Sequence, residues 1–185
     1  MRRNYCLISI SLAAALASAV VPSRAATFGT VVPIAGPASD IALDQSRGVL
    51  YIANFTANRI EVMSTADYSI RSSMNVAPQP GALALSFDSQ FLLIAHFGNF
   101  TPPNTGQNLV TLINLNNNTR QTFSTGDPPL GVAFTADGEA LIVTTTSFVV
   151  FDPVSGQMQV LATFANLAQT LPAALAWLWR GYPVK

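Results

Sequence analysis

From residue 38 onward the chain alternates short apolar runs with clusters of Gly, Pro, Asn, Asp and Ser. The runs are about five residues long and rich in Val, Ile, Leu, Thr and Phe. That length and composition predict strands, since a helix needs a longer 3.6-residue periodicity without such punctuation.

The runs also repeat. Asp40-Ile41-Ala42-Leu43-Asp44 aligns with Ala82–Ser86, Gly131–Thr135 and Ala174–Leu178, and the second residues of these segments are spaced by 42, 49 and 43. Leu50–Asn54 then matches Leu92–His96 and Leu141–Thr145, while Ile60–Met63 matches Val110–Ile113 and Phe148–Phe151. A turn follows each time, at Ser64–Asp67, Asn114–Asn118 and Asp152–Gly156. A closing strand is expected near Ser69–Val76, Thr119–Ser124 and Gln157–Thr163. Four strands in about 40–45 residues is the period of a propeller blade. The expected fold is all-β: a partial β-propeller of three complete four-stranded antiparallel blades, at about 37–78, 79–126 and 127–165, with partial blades at both ends. The longer second spacing comes from an inserted loop, Phe97–Gln107. In each first strand a small Ala stands between large residues, a pattern suited to the wedge between converging sheets.

Leu50-Tyr51-Ile52-Ala53-Asn54, followed by Arg59-Ile60-Glu61-Val62, resembles the YVTN repeat of bacterial, NHL-like β-propellers. Pro80–Leu85, Thr135–Gly138 and Asp152-Pro153 fit the same repeat. The resemblance covers about residues 28–178. It implies a closed ring of around seven blades in full-length relatives and leaves activity open, because such folds host many roles.

The ends follow from the repeat. Val31-Val32-Pro33, within Phe28–Ala35, takes the place of Met74-Asn75-Val76 and is expected to be a lone leading strand. Residues 172–178 start a fourth blade, and 179–185 form a non-repeat tail. The expectation is a propeller cut short; the rival is a true short form that assembles with copies of itself through exposed blade faces.

Before the repeats, Arg2 and Arg3 precede a largely apolar stretch, Cys6–Val21, and Ser23-Arg24-Ala25 offers small residues for a cleavage site. Residues 1–25 therefore read as a signal peptide, giving a secreted or periplasmic protein without a stable membrane span after cleavage. Removal of Arg2, Arg3 and Arg24 leaves six basic residues against nine acidic ones. Cys6, the only cysteine, would also be lost, so the exported domain would be held by its core without disulfides.

Candidate chemistry is sparse. Lys185 is the only lysine and there is no basic run, so nucleic acid is not an expected partner. His96 is the only histidine, and its repeat equivalents by sequence are Asn54 and Thr145, which marks a strand end and not a metal ligand. Asp44, Asp88, Asp137 and Asp152 stand where turn aspartates bond backbone amides. At the first-strand positions facing the axis stand Ala82, Gly131 and Ala174, with only Asp40 charged. Asn54-Phe55-Thr56, Asn99-Phe100-Thr101 and Asn117-Asn118-Thr119 match the glycosylation pattern of a eukaryotic secretory route. No catalytic, cofactor-binding or metal residue is assigned and no cofactor is expected. The expected role is an exported binding or scaffold module, not an enzyme, acting on an unspecified protein or small ligand. The alternative is a fragment of a lactonase-type propeller enzyme.

The export reading has a direct check. Amino-terminal sequencing of the exported product should return Ala26 as the first residue, and recovery of Met1 would overturn it.

Overall fold

The computed structural model describes residue 29, residues 31–96 and residues 108–170. The chain divides into two compact units at Val31/Val32, and the first lies almost wholly outside the described residues. The second contains twelve described strands: β1 (Ala38–Asp44), β2 (Val49–Asn54), β3 (Arg59–Ser64), β4 (Ile70–Asn75), β5 (Pro80–Leu85), β6 (Phe91–His96), β7 (Leu109–Asn114), β8 (Thr119–Ser124), β9 (Pro129–Phe134), β10 (Ala140–Thr144), β11 (Ser147–Phe151) and β12 (Met158–Thr163). They form three antiparallel four-stranded sheets in chain order: β1–β4, β5–β8 and β9–β12. These are the three expected blades.

The blades pack face to face, and the alternation of residues along each strand decides which face meets which neighbour. Between blades 1 and 2, Tyr51, Ala53 and Ile60 meet Leu83, Leu92, Ile94 and Ile113 in one buried cluster. Between blades 2 and 3, Leu93, Ala95 and Val110 meet Ala140, Ile142 and Phe151, with the Phe123 ring edge-on to Phe151 at 5.0 Å. Each large side chain covered in this way contributes roughly 1.5–3 kcal/mol. Leu83 and Leu85 of β5 pack toward blade 1, whereas Ala82 packs toward blade 3. Ile41 and Leu43 are their counterparts in β1; among the described residues no blade faces them, and they are 57% and 51% exposed.

Three further regularities follow the repeat. Each inner strand carries a register irregularity near its start, around Ser39, Gly81 and Leu130. A proline-bearing segment leads into each inner strand, and the Pro37 and Pro128 carbonyls accept from Phe55 N and Thr145 N. Each outer strand is tied off alike: Val76, Thr125 and Phe164 donate their amides to the carbonyls of Asn58, Asn108 and Thr146.

Two expectations need correction. Residues 31–36 form no strand, although 28–35 was expected to be one. An outer strand needs the third strand of its own blade as partner, and β3 already pairs with β4. What survives is the lead-in. Ala35 accepts from Asn54 Nδ2 at 3.0 Å, and Gly36, at φ +137°, lies so close that a Cβ would collide with the Asn54 amide and sit 2.6 Å from Thr56 Oγ1.

The second correction is a slip of one residue. Leu85 pairs with Leu92 across a six-residue turn, but Phe134 pairs with Ala140 across five. The structural equivalent of His96 and Asn54 is therefore Thr144, not Thr145.

A helix for which no element was expected, α1 (Phe164–Thr170), follows directly after β12. Thr163 Oγ1 accepts from Asn166 N at 3.3 Å, an N-cap bond, and Ala165 and Leu167 are good helix formers. The Phe164 ring packs edge-on against Phe148 at 5.1 Å, covering part of the outward face of blade 3. The inserted loop, the expected fourth blade with Trp177, and the tail lie outside the described residues. Among the described residues no helix is long and apolar enough to cross a membrane.

Candidate functional site

Polar groups gather at three places: the inner-strand start, a recurring buried pair on the face each blade turns to the preceding one, and the turn rim. At the inner-strand start, Asp40 receives Ile41 N on Oδ1 and Leu83 N on Oδ2, both at 2.8 Å, so its carboxylate bridges β1 to β5. Ser39 Oγ donates to the Pro80 carbonyl across the same junction at 2.5 Å. Asp40, the one charged residue expected here, is thus an inter-blade clamp.

The buried pair links the last residue of each second strand to the third strand. In blade 1, Asn54 Nδ2 donates to Glu61 Oε1 at 3.3 Å, and Arg59 Nε reaches the same oxygen at 2.6 Å. Glu61 is buried and ion-paired with half-buried Arg59, the kind of partner a carboxylate taken out of water requires. In blade 2, His96 Nε2 lies 2.8 Å from Thr111 Oγ1, and Nδ1 lies 3.1 Å from the Pro78 carbonyl. A carbonyl can only accept, so Nδ1 carries the proton and Nε2 accepts from Thr111. In blade 3 the pair is Thr144 with Ser147, at 3.1 Å. Burial is the largest influence on His96 and, against weaker opposition from the Pro78 and Ala77 backbone, lowers its pKa to about 4. Asn54 is fully buried, which removes it as a glycosylation acceptor.

The third place is the rim formed by the β1–β2, β5–β6 and β9–β10 turns together with the turns that follow each third strand. Asp44, Asp88, Asp137 and Asp152 each accept a turn amide, from Arg47, Gln90, Glu139 and Val154 respectively. Side-chain bonds from Ser86, Thr135 and Ser155 are the largest influences on Asp88, Asp137 and Asp152, and hold all three below the usual carboxylate range. Burial pushes Asp44 up, but bonds from Ser46 and Arg47 outweigh it and leave it lowered.

At the junction of blades 1 and 2, Arg47 reaches across this rim. Its Nη1 bonds Asp44 Oδ2 at 2.7 Å and the Ser89 carbonyl at 2.6 Å, while Nη2 bonds Asn116 Oδ1 at 2.7 Å. At the junction of blades 2 and 3 the corresponding space is a groove of about 470 Å³, lined by Asp88, Asp137, Glu139 and Asp152 among others. The turn that carries Asp152 and Val154 ends in close packing: at Gly156, φ +73°, a Cβ would stand 2.8 Å from the Phe123 ring. Among the described residues no three or more His, Cys, Asp or Glu side chains are placed to hold a metal ion. Turn roles for the aspartates are legible in the sequence, but the span of Arg47 across two blades is not, because its partners lie 42 and 69 residues away.

No protein-family model and no curated protein matches the sequence. Solved structures do. The chain is similar to Kuenenia stuttgartiensis hydrazine synthase at 18% identity and TM-score 0.58, over 72% of this chain and 38% of that one. It is similar to the β-propeller domain of Myceliophteria thermophila Cps50 (Swd1) at 11% identity and TM-score 0.57, over 73% and 41%. U3-55K follows at 12% identity and TM-score 0.55, over 72% and 40%. The fold is a β-propeller arc. It spans about two fifths of the length of these structures.

The buried histidine sets a pH dependence. With a folded pKa of about 4 against 6.5 for a free imidazole, the unfolded chain binds the extra proton between these values. Stability should be fully present above pH 6.5 and fall by about 3 kcal/mol as the pH drops toward 4. Urea midpoints across that window should fall for the wild-type chain, whereas His96→Gln should start lower and stay flatter; parallel curves would refute the assignment.

Proposed function

We propose that the chain is an exported binding or scaffold module built on YVTN-type repeats, a part of a longer propeller, with no catalytic site of its own. The observation that carries this reading is the use made of Asp40. A lactonase-type site needs charged groups converging on the axis, free to meet substrate or metal. Asp40 instead holds two backbone amides across the β1–β5 junction. The leading residues support a signal peptide and a secreted or periplasmic location, and the Leu50–Val62 run supports the repeat type. The purified chain should leave γ- and δ-lactones unhydrolysed above the buffer rate, with or without added divalent cations. Turnover that Asp40→Asn abolishes would replace this reading with the enzymatic one.

We further propose self-association through the outward face of blade 1, supported by the exposure of Ile41 and Leu43. Light scattering should report species larger than one chain, and Ile41→Lys with Leu43→Lys should shift them toward the monomer. A wild-type chain that is monomeric at all concentrations would refute this.

A further inference from the structure

Each blade turns a back to the blade before it and a front to the blade after it. Among the described residues two such faces meet no other blade: the back of blade 1 and the front of blade 3. Cross-strand pairing shows what each face is made of. On the front, a small residue of the inner strand stands beside two larger ones, as in the rows Ala42–Tyr51–Val62 of blade 1 and Ala84–Leu93–Leu112 of blade 2. Blade 3 repeats this row as Ala133–Leu141–Val150. On the back all three residues are large: Leu85–Leu92–Ile113 in blade 2, repeated as Leu43–Leu50–Met63 in blade 1. Where front meets back the side chains are sealed, with Tyr51 at 4% exposure and Leu93, Leu92 and Ile113 at 0%. Their counterparts Leu141, Leu50 and Met63 are only half-buried, and Ala133 is exposed.

We propose that the front of blade 3 is the surface on which the back of blade 1 of a second copy seats, so that chains join head to tail. This rests on the reading that the chain self-associates through blade 1, and names the surface that meets it. The occupant is identified by the two junctions inside the chain, each of which sets a small-residue front against a large-residue back. The arc carries one more of each, and a repeat stacks on whatever neighbour offers the matching face. Two backs placed together would instead set Ile41 and Leu43 against their own copies, bulk against bulk, and hold the inner strands too far apart. The Asp40 clamp has no counterpart at Gly131, but blades 2 and 3 pack closely with Ala82 at that position, so the junction forms without it. Glu61 lies on the back of blade 1 and is already paired with Arg59, so it brings no unmatched partner into the contact. On blade 3, α1 sits against Phe148, in the row next to Ala133–Leu141–Val150. A contact between two unlike faces leaves one of each free at the ends of any open assembly.

The test is complementation, read by light scattering on the purified full chain. A back variant, Ile41→Lys with Leu43→Lys, and a front variant, Ala133→Lys with Leu141→Lys, should each fall to the mass of one chain. Mixed in equal amounts they should recover a species of two chains and no larger, because one natural front and one natural back remain to pair and the other two faces are blocked. Circular dichroism checks that each variant is folded. If the front variant is not, Ala133→Lys alone takes its place, since that position is exposed. A front variant that associates as the wild type does, while the back variant is monomeric, would overturn the head-to-tail contact and leave self-association through blade 1 standing. A mixture that stays monomeric, or one that grows beyond two chains, would also overturn it. A wild-type chain that is monomeric throughout would retire both readings together.

Discussion

Face-to-face packing of twisted sheets is the constraint on which the rest of this molecule depends. A four-stranded sheet buries nothing by itself; it becomes a core only when a second sheet lies across it. Here the two faces of every blade differ in kind. Large aliphatic residues of the inner strand look back toward the preceding blade, and alanines look forward. The asymmetry fixes both the order and the spacing of the blades, because two bulky faces would hold the inner strands too far apart and two small ones would leave a void.

The same constraint explains why polar residues can be buried in the interfaces. The second strand of each blade stops against the lead-in segment, and a side chain there must satisfy donors and acceptors that water cannot reach. Three different pairs solve this: Asn54 with Glu61, His96 with Thr111, and Thr144 with Ser147. The requirement is for a completed set of bonds, not for a particular residue, so the position reads as unrelated letters along the chain. In blade 2 the histidine makes the solution sensitive to acid.

Strands and blades were legible in the sequence because period-two alternation and turn residues are local signals, and every blade repeats them. The features missed are non-local or depend on counts. The slip between Thr145 and Thr144 comes from one residue removed from a turn, invisible until Ala140 is seen opposite Phe134. The helix after β12 had a signal in Thr163 followed by Ala165 and Leu167, but seven residues are few for helical periodicity to show. The lead-in around Gly36 looked like a strand because Val31-Val32 is β-prone; strand formation needs a partner edge, which no propensity supplies. The Arg47 bridge depends on groups brought close only by stacking.

One small permutation in the turns reaches further than its size suggests. Blade 1 writes its first turn Asp44-Gln45-Ser46, whereas blades 2 and 3 write theirs Ser86-Phe87-Asp88 and Thr135-Ala136-Asp137. Hydroxyl and carboxylate still bond to each other in each turn. But the order decides where the negative charge sits. In first place it is buried and anchors an arginine from its own turn; in third place it stands at the surface. Two residues trading places, with a serine or glycine where Arg47 stands in blade 1, thus leave an open seam in place of a sealed one, and a repeat can diversify its rim without altering a single strand.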